Sequence, residues 1–167
     1  GTPLSAAVAQ GFQVLAVEVS SYQLELPGDF SPWASVILNL SPDHLARHGD
    51  MAGYAQAKAR IFDGLRPVGL AGMPHQEHLI AAAQDKPGRR VWLDEVDVDQ
   101  PVLDSLRVLG AHNRWNAAVA MLLAAEVGVV PHDLSTLQGL AHRLEPVPSR
   151  DERTWINDSK ATNVEAA

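Results

Sequence analysis

No cysteine occurs among the 167 residues. That excludes a disulfide framework and any thiolate zinc site, and it fits a reducing compartment such as the cytoplasm. Basic residues are the minority, 13 Lys and Arg against 20 Asp and Glu, and none of them form a block. A net charge of −7 without a basic patch leaves nucleic-acid binding without support. Long apolar runs are also missing. The longest, Ala117 to Val130, is broken by Glu126 and Gly128 and is too short to span a bilayer, so no membrane partner is expected. The start, GTPLSAAVAQGF, has no charged segment of the secretory kind and no initiator Met, and the end at Ala166-Ala167 reads as mid-helix. The chain is therefore expected to be a piece of something longer. There are no internal repeats. What is present is 46% hydrophobic content, enough for one domain with a core.

The most informative stretch is VLAVEVSSYQLE, Val14 to Glu25. Its β-branched, apolar start predicts a strand buried on both faces over 14–19, the habit of parallel sheets. Glu18 is the exception, because a carboxylate in a buried strand costs several kcal/mol unless it is paired or holds a cation. The polar residues that follow, Ser20 to Gln23, place Glu18 near the carboxyl end of the strand, where open α/β sheets bind ligands. Taken alone, it reads as a carboxylate satisfied by an Arg or by backbone N–H groups. Ala34 to Leu40 predicts a second buried strand with Asn39 at its polar end. Ser41 and Pro42 predict a cap and first turn of a short helix, which presents His44 beside the expected position of Glu18.

Asp50 is expected to cap a helix from about Met51 to Leu65, with Tyr54, Ala57, Ile61, Phe62 and Leu65 at helical spacing. Lys58 borders that apolar face and by itself reads as a snorkelling lysine. Further on, a short strand is expected at 67–70, a helix at 75–84, a turn at Pro87-Gly88 and a strand at 90–93. The acidic run 94–99 reads as solvated surface, as do His75 and His78. A long helix is expected from Ala111 to about Val127, with Asn113 and Asn116 as caps or as readers of a planar ligand. Another is expected from Pro131 to Arg143. The prolines at 146 and 148 read as a linker. A strand at 154–156 then delivers Asn157 to Asn163, suited to phosphate or ribose contact or to a helix cap.

Six ordered stretches, VEVSSYQLE, ILNLSPDHLARH, YAQAKARIF, GAHNRWNAA, AHRLE and WINDSKATN, together resemble the Mur ligase family. The resemblance implies an ATP- and Mg²⁺-dependent amide-bond ligase of peptidoglycan precursor synthesis. The SSYQLE and NDSKATN forms imply UDP-N-acetylmuramoyl-L-alanine and D-glutamate as the partners joined. It also implies an α/β fold: a three-layer, mostly parallel sheet of the P-loop ATPase type, truncated at its N-terminal side. By the same resemblance Glu18 lies near the ATP magnesium, His44 reaches a second divalent cation, and Lys58 becomes carbamylated and supports magnesium. Ser20 and Gln23 correspond to positions near the muramoyl-alanine end, and Asn113 and Asn116 to the adenine side. Arg143 and Asp158 correspond to nucleotide contacts. Lys160 and Thr162 correspond to the opening of the C-terminal domain, where D-glutamate is held.

The chain departs from the family pattern in two places. No G-x-x-x-x-G-K-[ST] phosphate loop occurs, and no Asn-Ala-Asp-Asp-like stretch is recognisable between Pro67 and His78. Residues 1–144 are thus expected to be a central ATP-binding domain lacking its phosphate loop, and 145–167 a linker and the start of a C-terminal domain, inactive in isolation. Two other readings compete. One is a sister Mur-type or folylpolyglutamate-type ligase; the other is a non-catalytic α/β binding domain.

Overall fold

The computed structural model describes residues 2–26, 28–148 and 153–161. The chain divides into two compact units, 1–95 and 96–167. In the first, helix α1 (Leu4–Ala9) ends ahead of Gly11, which takes a φ of 72°, and α2 (Ser21–Leu24) follows. Strand β1 (Ala34–Val36), α3 (Leu45–His48) and α4 (Met51–Ala59) come next, α4 tightening into a 3₁₀ turn over Arg60–Phe62. Then come β2 (Leu70–Met73), α5 (Glu77–Ala83) and β3 (Arg89–Trp92). The three strands form a parallel sheet in the order β1-β2-β3, with Ala34 opposite Leu70 and Met73 opposite Trp92. The α/β expectation therefore holds.

Position in the sheet explains the composition of β2. As the middle strand it is buried at all four residues, so nothing polar is tolerated on either face. Gly72 is required there by a close approach: a Cβ would lie 2.8 Å from Val36 Cγ1 and 2.9 Å from Leu93 Cδ2. The α4 helix forms as expected, with the Asp50 side chain accepting the Gly53 N–H at 2.8 Å. Its Tyr54, Ala55 and Ala59 join Phe62, Leu65, Leu79 and Met73 in one core. Past β1, the Gln76 side chain pins Leu40 twice. Its Oε1 accepts the Leu40 N–H at 2.8 Å, and its Nε2 donates to the Leu40 carbonyl at 3.2 Å.

Several expectations are corrected. Residues 14–19 form no strand: Val14 and Val17 are 60% and 39% exposed, and Glu18 is exposed rather than buried. An apolar run becomes a buried strand only when neighbours complete its ladder and cover its faces, and no described strand pairs with it. The second strand is shorter than expected, 34–36. Helix α3 starts at Leu45, with His44 as its N-cap in the left-handed region (φ 53°), rather than at Ser41. The strand expected at 67–70 lies at 70–73, because Arg66 and Gly69 close a turn first.

In the second unit, a 3₁₀ turn spans Pro101–Ser105 and α6 spans Ala111–Ala125, ended by Gly128 at φ 77°. Leu103, Ala118 and Leu134 centre a small core. The helix expected at 131–143 does not form. Asp133 instead accepts hydrogen bonds from the Ser135 N–H and hydroxyl, the local bonding by which such side chains divert backbone from helix. The stretch read as a linker pairs as strand β4 (Glu145–Val147), antiparallel to β5 (Trp155–Asn157). Prolines are compatible with edge strands, and a two-stranded ribbon has only edges.

Candidate active site

In the first unit the polar residues cluster where α2, α3 and α4 meet. Ser20 caps α2 in a capping box. Its Oγ accepts the Gln23 N–H at 3.3 Å, and its own N–H donates to Gln23 Oε1 at 2.9 Å. Two residues singled out as candidate substrate contacts thus hold each other. Ser21, buried, lies 3.1 Å from His48 Nε2 through its Oγ. The His48 side chain is only 5% exposed; its Nδ1 is 3.6 Å from Glu25 Oε1, and its ring stacks on Tyr54 with centroids 5.2 Å apart. Glu25 also takes two hydrogen bonds from Arg47, one of them from Nε at 3.1 Å. That pairing holds the Glu25 carboxyl below its ordinary range.

His44 and Lys58 approach the same aromatic pair. The His44 ring meets Tyr22 edge-on at 5.2 Å and Tyr54 at 6.4 Å. The Lys58 Nζ lies over the Tyr54 ring, 5.1 Å from its centroid. Burial pushes the Lys58 amine below its ordinary value, and the negative charge of Asp43 opposes that shift. Burial also raises the Tyr54 hydroxyl, with Asp43 adding to it. A simple snorkelling lysine would keep its head in bulk water, so the packing of Lys58 goes beyond that reading.

Glu18 is placed differently. It lines a cavity of about 1140 Å³ with Gln23, Glu25, Arg60, Asp63 and Lys86, and neither His44 nor Lys58 is among the lining residues. Among the described residues, no group of three or more His, Asp or Glu side chains gathers to hold a metal ion. Mg²⁺, however, is ordinarily held by one or two carboxylates, waters and substrate phosphates rather than by an all-protein cage. The donor chemistry fits such a site in part: Asp43 supplies a carboxylate to the surroundings of Lys58, and a depressed lysine amine can become an anionic oxygen ligand.

The remaining candidates belong to the second unit. Asn113 donates from Nδ2 to the Leu109 carbonyl at 2.6 Å, tying down the start of α6, and Asn116 is half-buried one turn on. Arg143 is exposed between two residues of positive φ, His142 (65°) and Leu144 (42°). Asp158 Oδ1 accepts the Leu144 N–H at 3.2 Å, and the Lys160 N–H donates to the His142 carbonyl at 3.0 Å. Thr162 lies outside the described residues. Sequence reasoning missed Glu25, Arg47, His48 and the ring of Tyr54 as members of the first cluster. The one available signal was the i, i+4 spacing of His44 and His48, which puts both rings on one side of a helical turn.

A family model, the Mur ligase middle domain, matches residues 2–97. Curated relatives named UDP-N-acetylmuramoylalanine--D-glutamate ligase align with nearly the whole chain. The one from Nitrobacter winogradskyi is 35% identical over 92% of the chain and 40% of its own length. That from Paramagnetospirillum magneticum is 39% identical over 90% and 38%, and that from Pelotomaculum thermopropionicum 36% over 100% and 43%. The chain thus spans about two fifths of the length of these relatives. Among solved structures, MurF from Acinetobacter baumannii aligns with 77% of this chain and 34% of its own, at a TM-score of 0.56 and 25% identity. With its parallel sheet, its helices and a family match over more than half its length, the chain belongs to the Mur ligase family, through that family's middle domain.

Proposed function

We propose that this chain is the central, ATP-binding part of a cytoplasmic ligase that joins UDP-N-acetylmuramoyl-L-alanine to D-glutamate in peptidoglycan precursor synthesis. The observation that carries the reading is the alignment of relatives bearing that enzyme's name with nine tenths or more of the chain. The packing of Lys58 against Tyr54, beside His44, supports it.

The sheet would be of the P-loop ATPase type, with residues 1–144 as the ATP-binding domain and 145–167 leading into the next. In the reaction, a carboxylate oxygen of the alanyl group attacks the γ-phosphorus of ATP and ADP leaves. The D-glutamate amine then attacks the acyl carbon and phosphate departs. Glu18 would lie near the Mg²⁺ of ATP, His44 would reach a second divalent cation and carbamylated Lys58 would support magnesium, whose charge would offset that on the transferred phosphoryl group. Burial favours the unprotonated amine of Lys58, the form that adds CO₂: the N–C bond forms, a proton is released and an anionic carbamate remains. Ser20 and Gln23 would line the muramoyl-alanine end, Asn113 and Asn116 the adenine. Arg143 and Asp158 would meet the phosphates or ribose, and Lys160 and Thr162 the D-glutamate. The chain alone, with no phosphate loop in its sequence, is expected to turn over nothing.

A sister Mur-type ligase is the second reading, favoured by the fold likeness to MurF. Phosphate release by the longer polypeptide, with ATP, Mg²⁺ and UDP-N-acetylmuramoyl-L-alanine, separates the two. Release that depends on D-glutamate supports the first, release with another amino acid the second. Release with neither points to a non-catalytic α/β domain.

A further inference from the structure

The reaction described above makes no use of the buried side chain of His48. His48 sits at the centre of the α2–α3–α4 junction, its side chain 5% exposed, and it is held from two sides. Ser21 Oγ lies 3.1 Å from Nε2, and Glu25 Oε1 lies 3.6 Å from Nδ1. Glu25 is itself fixed by Arg47 Nε at 3.1 Å, and Arg47 lies over the Tyr22 ring at 5.0 Å. A histidine hydrogen-bonded through Nε2, with a carboxylate 3.6 Å from Nδ1, has little rotational freedom, and its flat face is committed to one neighbour. That neighbour is Tyr54: the planes are 23° apart, a stacked arrangement. Tyr54 then carries the Lys58 amine over its ring.

From this chain of contacts we propose that His48 is a positioning residue: anchored by Ser21 and Glu25, it braces the Tyr54 ring and so fixes where the Lys58 amine lies. Core packing alone would need only an apolar ring at position 48. The two polar tethers define the rotation of the imidazole plane, and with it the tilt of the surface on which Tyr54 rests. A side chain acting through Tyr54 need not touch substrate, cation or the reacting atoms. The inference rests on the reading of Lys58 as the group that does.

Only three lysines occur, Lys58, Lys86 and Lys160, so ¹³C-lysine labelling of this chain gives three resolvable ε-methylene signals, assigned with Lys58→Arg. In the wild type the Lys58 signal is expected to be displaced upfield by the Tyr54 ring current, and Tyr54→Leu to remove the displacement. The His48→Ala variant is expected to lose most of that shift, and Ser21→Ala part of it, while far-UV circular dichroism stays native. His48→Phe, which keeps a ring without tethers, is expected to give a smaller or averaged shift. If His48→Ala proves unfolded, Ser21→Ala and His48→Phe decide. A Lys58 signal unchanged in folded His48→Ala, or in both of the milder variants, overturns the proposal. Charging with ¹³CO₂ separates the two readings. A wild type that forms no carbamate at Lys58 removes the role given to Lys58, and the ring-current result still decides whether His48 sets its position.

Discussion

Two apolar stretches of the first unit have opposite fates. Leu70–Met73 is buried at every residue between two parallel neighbours. Val14–Val19, longer and richer in β-branched residues, lies mostly exposed and without a ladder among the described residues. Strand propensity is higher in the exposed stretch, so it is not what separates them. What separates them is the pair of flanking edges. β2 satisfies its N–H and C=O groups on β1 and β3, and its side chains on the core around Phe62 and Leu79. The 14–19 segment has neither among the described residues. Being a strand is here a property of the neighbourhood more than of the residues.

The sharpest way to break that comparison is to truncate one residue in each stretch. Leu70→Ala, at a fully buried position, is expected to cost about 2–5 kcal/mol in denaturant unfolding. A loss below about 1 kcal/mol would mean that β2 is not the structural centre of the unit. Gly72→Ala comes next. Its Cβ would press on Val36 and Leu93 side chains, and overpacking of this kind costs about 1–3 kcal/mol. A neutral result in the same assay would show that these side chains move aside freely.

A smaller effect tests the strand ends. His75, just after β2, donates its backbone N–H to Asp94, just after β3, at 3.0 Å. Its Nδ1 lies 2.7 Å from the same carboxylate, and its ring stacks on Trp92. The hydrogen bond from the His75 side chain holds the Asp94 carboxyl below its ordinary 3.8. A carboxyl so depressed adds stability that is present above 3.8 and is lost as pH falls through the lower, folded-state value. Wild type is therefore expected to exceed Asp94→Asn in urea midpoint at neutral pH, and the gap to close at pH values below 3.8. A gap independent of pH would remove the His75–Asp94 hydrogen bond as its cause. The smallest effect belongs to the other stretch: Val17→Ala is expected to change stability by less than about 0.5 kcal/mol. A loss as large as that of Leu70→Ala would erase the contrast.

Legibility in the sequence followed the same division. The α4 helix could be read because its evidence is local, an Asp50 cap and a 3.6-residue apolar period. The α6 helix and its Gly128 stop were legible for the same reason. The helix expected at 131–143 was not, because the Asp133–Ser135 turn competes within three residues and only Leu134 among the larger apolar residues there is buried. Pro146 concealed β4, since nothing in its own neighbourhood announces that Ile156 will lie opposite it. At the site, residue chemistry alone reads Lys58 as a snorkelling lysine at the border of the buried face; the resemblance singles it out, and the structure sets its amine over the Tyr54 ring. His48, Glu25 and Arg47 escaped notice because their importance comes from contacts 22 to 27 residues away in sequence.

The pair of hydrogen bonds between Gln76 and Leu40 has a consequence of its own. A primary amide offers one donor and one acceptor side by side, the same pair that a peptide unit offers to a neighbouring strand. Gln76 thereby supplies a borrowed rung: past Val36 and Ile37, the chain is held by a side chain impersonating backbone. Glutamate cannot replace it, for a carboxylate would meet the Leu40 carbonyl with two acceptors and no donor. Four residues beyond that rung stands His44, so the address of a candidate catalytic histidine is written partly in the choice between an amide and an acid at position 76.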